Sequence, residues 1–244
     1  MLPLSTKKGT KEADEINFDK RLLEEMQNEF ANAISSLPPH LQDFTSQNEM
    51  ITFYRQGLEI LYFMRKNRGD YFTKKGWELV GIEAPILETT DSNEAVAMIG
   101  FLDVVLKDVE RRRYKIIDFK TSTMGWNKGQ RSDFMKSAQL ILYKKYYAKQ
   151  MGISPDCIDI EFLILRRTIF EGSAFPQKRV QRHCPASGKP TINKVEKILS
   201  EFTSIFDKNG VKPNIEFIKN ADAKTCKWCY YGQYNICDKN KKQK

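Results

Sequence analysis

Apolar residues recur along this chain at two different spacings, and the change of spacing divides it into elements. From Asp19 to Ser35, Leu22, Leu23, Met26, Phe30, Ala33 and Ile34 fall at helical intervals, and Pro38-Pro39 ends the run. A second helix is predicted from about Ser46 to Lys66, with Met50, Phe53, Tyr54, Gly57, Leu61 and Met64 on one stripe, followed by a turn over Asn67–Asp70. The period then shortens. Trp77 to Leu87 reads as a first strand, Thr89 to Glu94 as a polar turn, and Ala95 to Ile99 as a further strand running into Gly100. Two β-branched and aromatic runs, FLDVVL and YKIIDF, flank a short charged segment and predict a hairpin. Further on, the pattern predicts a helix over Ser137–Met151 closed by Gly152, and a nearly continuously apolar strand over Ile158–Leu165. A loop follows over residues 171–190, carrying Lys178, Arg179 and Arg182, and then a helix over Ile192–Asp207. Gly210 and Pro213 break the chain before its last segment.

The hairpin carries the first candidate chemistry. With its turn centred on Glu110 and Arg111, the register places Asp103 across from Asp118, and cross-strand partners lie about 5 Å apart. That spacing suits two carboxylates sharing one hard cation. Period-two alternation puts Asp118 and Lys120 on one face of the sheet and Phe119 on the other. Glu83 lies in the strand upstream, as a ligand or as a half-exposed strand residue. Gln139 and Tyr143 lie downstream, one helical turn apart. Gly100 is either a point of close approach or a β-bulge.

The order Glu83, Gly100-x-x-Asp103, Asp118-Phe-Lys120, Gln139-x-x-x-Tyr143 resembles the RecB-type branch of the PD-(D/E)XK nucleases, over about Glu83 to Tyr143. The resemblance implies an α/β fold with a restriction-endonuclease-like core, a mixed central sheet flanked by helices. To this the chain adds a helical N-terminal part and a cysteine-containing C-terminal segment. The expected divisions are a leader over 1–18, a helical region over 19–70, the nuclease core over 71–170, and a closing part over 171–244 packed on the same domain. By the same resemblance Asp103, Asp118 and the backbone oxygen of Phe119 hold Mg²⁺ or Mn²⁺, and Lys120 positions the attacking water. Gln139 and Tyr143 then support the site or hold the substrate strand. Relatives often carry a histidine or acid on the helix before the first strand. Here the nearest residue is Glu59, a metal ligand or a surface residue between Arg55 and Phe63.

Composition narrows the partner. A net charge of +9 over 244 residues favours a polyanion, most simply nucleic acid. Trp126, Lys128 and Arg131, in a polar loop after Lys120, and Arg166-Arg167, leaving a strand end, are candidate contacts to a base or phosphate. No apolar run approaches the ~18 residues of a membrane span, and the start lacks the apolar core of a signal peptide. Five cysteines without an export signal suggest a reducing compartment such as the cytoplasm, and the RecB-type resemblance implies that of a bacterium or phage-infected cell. Cys226-Lys-Trp-Cys229 and Cys237 offer three thiolates to a metal. In RecB-type relatives a similar trio joins an upstream cysteine to hold a [4Fe–4S] cluster, but this chain has no cysteine before its core. Cys184 or His183 could complete the set and favour Zn²⁺. Cys157 is expected to be a buried apolar residue.

The expected function is therefore metal-dependent hydrolysis of DNA, by an exonuclease of recombination, repair or phage DNA metabolism. It would work alone or with a separate helicase or recombination protein, since the chain has no GK[ST] phosphate loop of its own. The alternative is a non-catalytic nucleic-acid-binding subunit with a nuclease-like fold.

Overall fold

A computed structural model of the chain describes residues 14–43, 45–72, 76–172, 174–211, 226 and 229. Five strands form one mixed sheet in the order β1-β2-β3-β4-β5: β1 (Trp77–Thr89), β2 (Ala97–Asp108), β3 (Arg113–Ser122), β4 (Ile158–Arg166) and β5 (Val180–His183). All neighbours are antiparallel except β3 and β4. A parallel pair needs a long crossover, supplied by residues 123–157. These contain helices α4 (Lys128–Ser132) and α5 (Phe134–Met151). The remaining helices are α1 (Phe18–Ser36), α2 (Gln47–Lys66), α3 (Arg68–Tyr71) and α6 (Lys189–Thr203).

The two faces of the sheet have separate cores. On one, Ile116, Ile160, Phe162 and Ile164 pack beneath Leu140, Ile141, Tyr146 and Tyr147 of α5, with Val195 of α6 beside them. On the other, Ile117 and Leu163 meet Tyr71 of α3, with Phe63 and Met64 of α2 alongside. α1 lies on α2, where Leu22 reaches to 2.8 Å of the place a side chain on Gly57 would occupy. Ser46 and Glu49 form a reciprocal cap that starts α2. Gly152, left-handed at φ 62°, ends α5.

Several boundaries differ from the sequence pattern. Ala95–Ile99 is not a separate strand: β2 runs unbroken from Ala97 through Gly100 to Asp108, and β1 extends to Thr89. Asn67–Asp70 begins a turn of helix, α3. The loop over 171–190 contains β5, whose polar VQRH gives no apolar alternation. α5 begins at Phe134, capped by Asp133, and α6 runs over Lys189–Thr203. No helix among the described residues is long and apolar enough to cross a membrane.

Candidate active site

The β2–β3 ladder is paired from Asp108↔Arg113 to Val104↔Ile117. One step further, where Asp103 and Asp118 face each other in this register, the ladder ends. The Asp103 side chain occupies the vacated position, its Oδ2 accepting a hydrogen bond from the Phe119 N–H at 2.7 Å. β2 changes direction here. Leu102 and Val105, three residues apart, both enter the core beneath α5, so strict alternation breaks with Asp103 inside the break. Across on β1, Glu83 sits between the pairs Ile82↔Val104 and Ala84↔Leu102, opposite Asp103. Its φ of 51° is a left-handed conformation that non-glycine residues rarely adopt. Glu83 is exposed.

Asp118 is only 2% exposed. Burial pushes its carboxyl above the usual range, and Asp103 adds to this, while Lys120 works in the opposite direction. Lys120 Nζ lies 2.8 Å from Asp118 Oδ2. This ion pair is the one polar contact made by that buried oxygen among the described residues. Lys120 also donates to Gln139 Oε1 at 3.3 Å, and Gln139 Nε2 donates to the Tyr143 hydroxyl at 2.9 Å. A continuous polar line, Asp118–Lys120–Gln139–Tyr143, thus runs from β3 onto α5.

Gly100 makes that line possible. A Cβ there would stand 2.7 Å from Cε1 of Tyr143, inside van der Waals contact. The β2 backbone therefore lies against the Tyr143 ring. The sheet's register irregularity is elsewhere, between Leu79 and Gly81.

Other candidates occupy different settings. Glu59 pairs with Arg179 at 2.6 Å and is more than half exposed, so it belongs to the surface beside the β4–β5 connection. Trp126 does not present its ring for stacking. It is buried against Phe162, centroids 5.1 Å apart, and against His183, and it belongs to the core beneath α5. Lys128 and Arg131 are exposed on α4, a short helix within the expected loop, started by a reciprocal cap between Asn127 and Gln130. Arg167 donates to Thr123 Oγ1 at 2.7 Å and lies over the Phe53 ring. Arg166 donates to the Lys178 carbonyl at 3.2 Å, while its Nε is buried without a partner. Burial, then the nearby Arg131, lower its pKa.

Gln181, which no sequence pattern singles out, holds the loop after β3 in place. It accepts from the Trp126 N–H at 2.7 Å and donates to the Trp126 carbonyl at 2.9 Å. Gly125, at φ 90°, lets Arg166 tuck beneath that loop, since a Cβ there would meet Arg166 Nε at 2.4 Å.

Of the cysteines, Cys184 is exposed, while Cys157, Cys226 and Cys229 are partly buried, so Cys157 is not the fully buried apolar residue expected. The Cys229 N–H points to the Cys226 carbonyl at 3.4 Å, as in a turn. Cys237 lies outside the described residues. Among the described residues no three His, Cys, Asp or Glu side chains converge on one point. The site offers instead two facing acids, one of them buried and paired with Lys120.

Two acids where a hairpin parts, a lysine two residues after the second, and a helix closing over them match one family. Its sequence model, described as the PD-(D/E)XK nuclease superfamily, fits residues 10–237. The chain belongs to the PD-(D/E)XK nuclease superfamily. The mixed five-stranded sheet with flanking helices agrees with that fold. No curated protein matches the sequence. Membership in the superfamily suggests a nuclease, points to nucleic acid as substrate, and goes with the usual use of divalent metals such as Mg²⁺.

Proposed function

We propose that this PD-(D/E)XK protein is a divalent-metal-dependent deoxyribonuclease of the RecB type that digests DNA from its ends. The observation that carries the reading is the buried carboxyl of Asp118, its Oδ2 met by Lys120 alone among the described residues, beside Asp103 where β2 and β3 part. A carboxylate withdrawn from water is costly unless cations meet it, and Asp118 stays raised even with Lys120 beside it, Asp103 adding to the effect of burial. A strand residue's N–H and C=O leave the same edge. The Phe119 carbonyl therefore faces the same gap as its N–H, which Asp103 accepts. Asp103, Asp118 and that carbonyl would hold Mg²⁺ or Mn²⁺, which when bound supplies Lewis acidity at the phosphate and acidity for an attacking water.

The remaining work falls to the chain's own residues. Lys120 places its charge where negative charge builds on the phosphate. Gln139 orients the Lys120 amine, and Tyr143, pressed against Gly100, fixes Gln139. DNA as substrate draws support from the net charge of +9. Action at ends, in recombination, repair or phage DNA metabolism, rests on the RecB-type resemblance.

The test is cleavage of duplex and single strands labelled at either end, with Mg²⁺ or Mn²⁺, by wild type and Asp118→Asn. Metal-dependent cleavage that falls at least ~10²-fold in the variant supports the reading. Equal cleavage by both proteins overturns the site assignment. Binding with no cleavage by the wild type on any substrate leaves the non-catalytic binding subunit instead.

A further inference from the structure

Helix α5 works on two sides. One side carries Gln139 and Tyr143 to the acids, while Ser137 and Ile141, two residues out of phase, face a separate cavity of about 410 Å³. Arg131, Ser132, Ser137, His183, Thr191 and Lys194 supply its polar lining. No acidic side chain lines it, and among the described residues no carboxylate pairs with Arg131 or Lys194. His183 Nε2 is buried there without a hydrogen-bond partner. Phe134, Ile141 and Pro185 supply apolar wall, and the Lys194 amine is held over the Phe134 ring at 4.1 Å.

Two cationic side chains, a histidine that burial holds neutral, three hydroxyls and no acid make a receptor for a phosphate with a sugar or base against the apolar wall. The volume suits a nucleotide unit and excludes a duplex. Helix α5, about 10 Å across with its side chains, carries both the wall of the cavity and the residues that reach the acids.

We propose that this cavity, between α4, the start of α5 and the start of α6, seats a backbone phosphate of the substrate strand away from the scissile bond. The proposal rests on the nuclease reading above.

The test compares wild type, Lys194→Gln and Lys194→Arg on single strands of increasing length. Binding is followed by fluorescence anisotropy in EDTA, and cleavage separately with Mg²⁺. Inorganic phosphate and a deoxynucleoside monophosphate serve as competitors. Wild-type affinity should rise in a step once the strand is long enough to reach from the acids to the cavity. Lys194→Gln should lose that gain, about tenfold in Kd and KM with little change in kcat, and its log–log salt slope should fall by about one. Lys194→Arg should restore it.

Equal binding by Lys194→Gln and wild type at every length overturns the proposal. So does a cavity that takes the free monophosphate as tightly as the longer strands, which would make it a nucleotide site. Length-dependent binding that is lost in Lys194→Gln, with no cleavage by wild type, sustains the subsite and overturns the nuclease reading alone.

Discussion

Asp118 is the residue at which stability and activity oppose each other. Burial holds its folded-state pKa above the ~3.9 of an unfolded aspartate, so the folded protein binds that proton more tightly than the unfolded chain. This stabilising contribution is full below the unfolded value and is lost as pH rises through the folded one. At neutral pH the site therefore carries a carboxylate that the fold disfavours even with Lys120 beside it. Asp118→Asn removes that charge without changing the shape. In divalent-free buffer at pH 7 the variant should melt about 2–4 °C higher, equivalent to roughly 1 kcal/mol in a chain of this size. The gain should vanish near pH 3.5, where the wild-type acid is itself protonated. Mg²⁺ should then raise the wild-type melting temperature more than the variant's. Calorimetry at two pH values, with and without Mg²⁺, decides the matter. A variant that melts lower at pH 7 would show that Asp118 is held by its Lys120 pairing and is not poised for a cation.

At the scale of elements, the site depends on how closely β2 meets α5. Gly100→Ala adds one methyl group where only 2.7 Å separates it from Tyr143. The ring must shift, taking Gln139 and its hold on Lys120 with it. A displacement near 1 Å can reduce turnover by as much as ~10²-fold. The prediction is a kcat loss of 10- to 100-fold with Kd for DNA changed less than about threefold; the reverse pattern would place Gly100 in substrate binding. This hairpin was readable in advance because two β-branched runs and a short charged turn admit one register that keeps both apolar faces inward. The parting of the strands at Asp103 was not readable, since it goes with Leu102 and Val105 both entering a core they share with the residues of α5, distant in sequence. Trp126 was misread for a similar reason. Its polar neighbours suggest a loop, while the partners that bury it, Phe162 and His183, come from β4 and β5. The start of α4 did carry a local signal: Asn127 and Gln130 are spaced as a cap, and each accepts a backbone N–H of the other.

Across the whole molecule, one buried charge ties the sheet to the layer opposite the active site. Glu161, 1% exposed, stands within the apolar run of β4. It pairs with Lys115 of β3 and accepts from Arg182 of β5, whose guanidinium also donates to the Asp70 carbonyl of α3 at 3.3 Å. Burial raises its pKa, but hydrogen bonds from Arg182 and Lys115 and their charges outweigh this, so the net direction is downward. A carboxylate lowered on folding stabilises the protein above its unfolded pKa of ~4.3, and that contribution is lost as pH falls through the folded value. Glu161→Gln strands a mostly buried Lys115 and should lower stability by about 3 kcal/mol at pH 7. Wild-type stability should also decline between about pH 4.5 and 3 more steeply than the variant's. The triad lies on the sheet face away from Asp118 and Lys120, because Lys115, Ile117 and Phe119 alternate with them along β3. Cleavage measured well below the variant's melting temperature should therefore stay within about twofold of wild type. Urea titrations from pH 3 to 8 test this directly. Equal stability at pH 7 would mean that the triad is replaceable by a neutral amide, leaving the two apolar cores alone to hold the layers together.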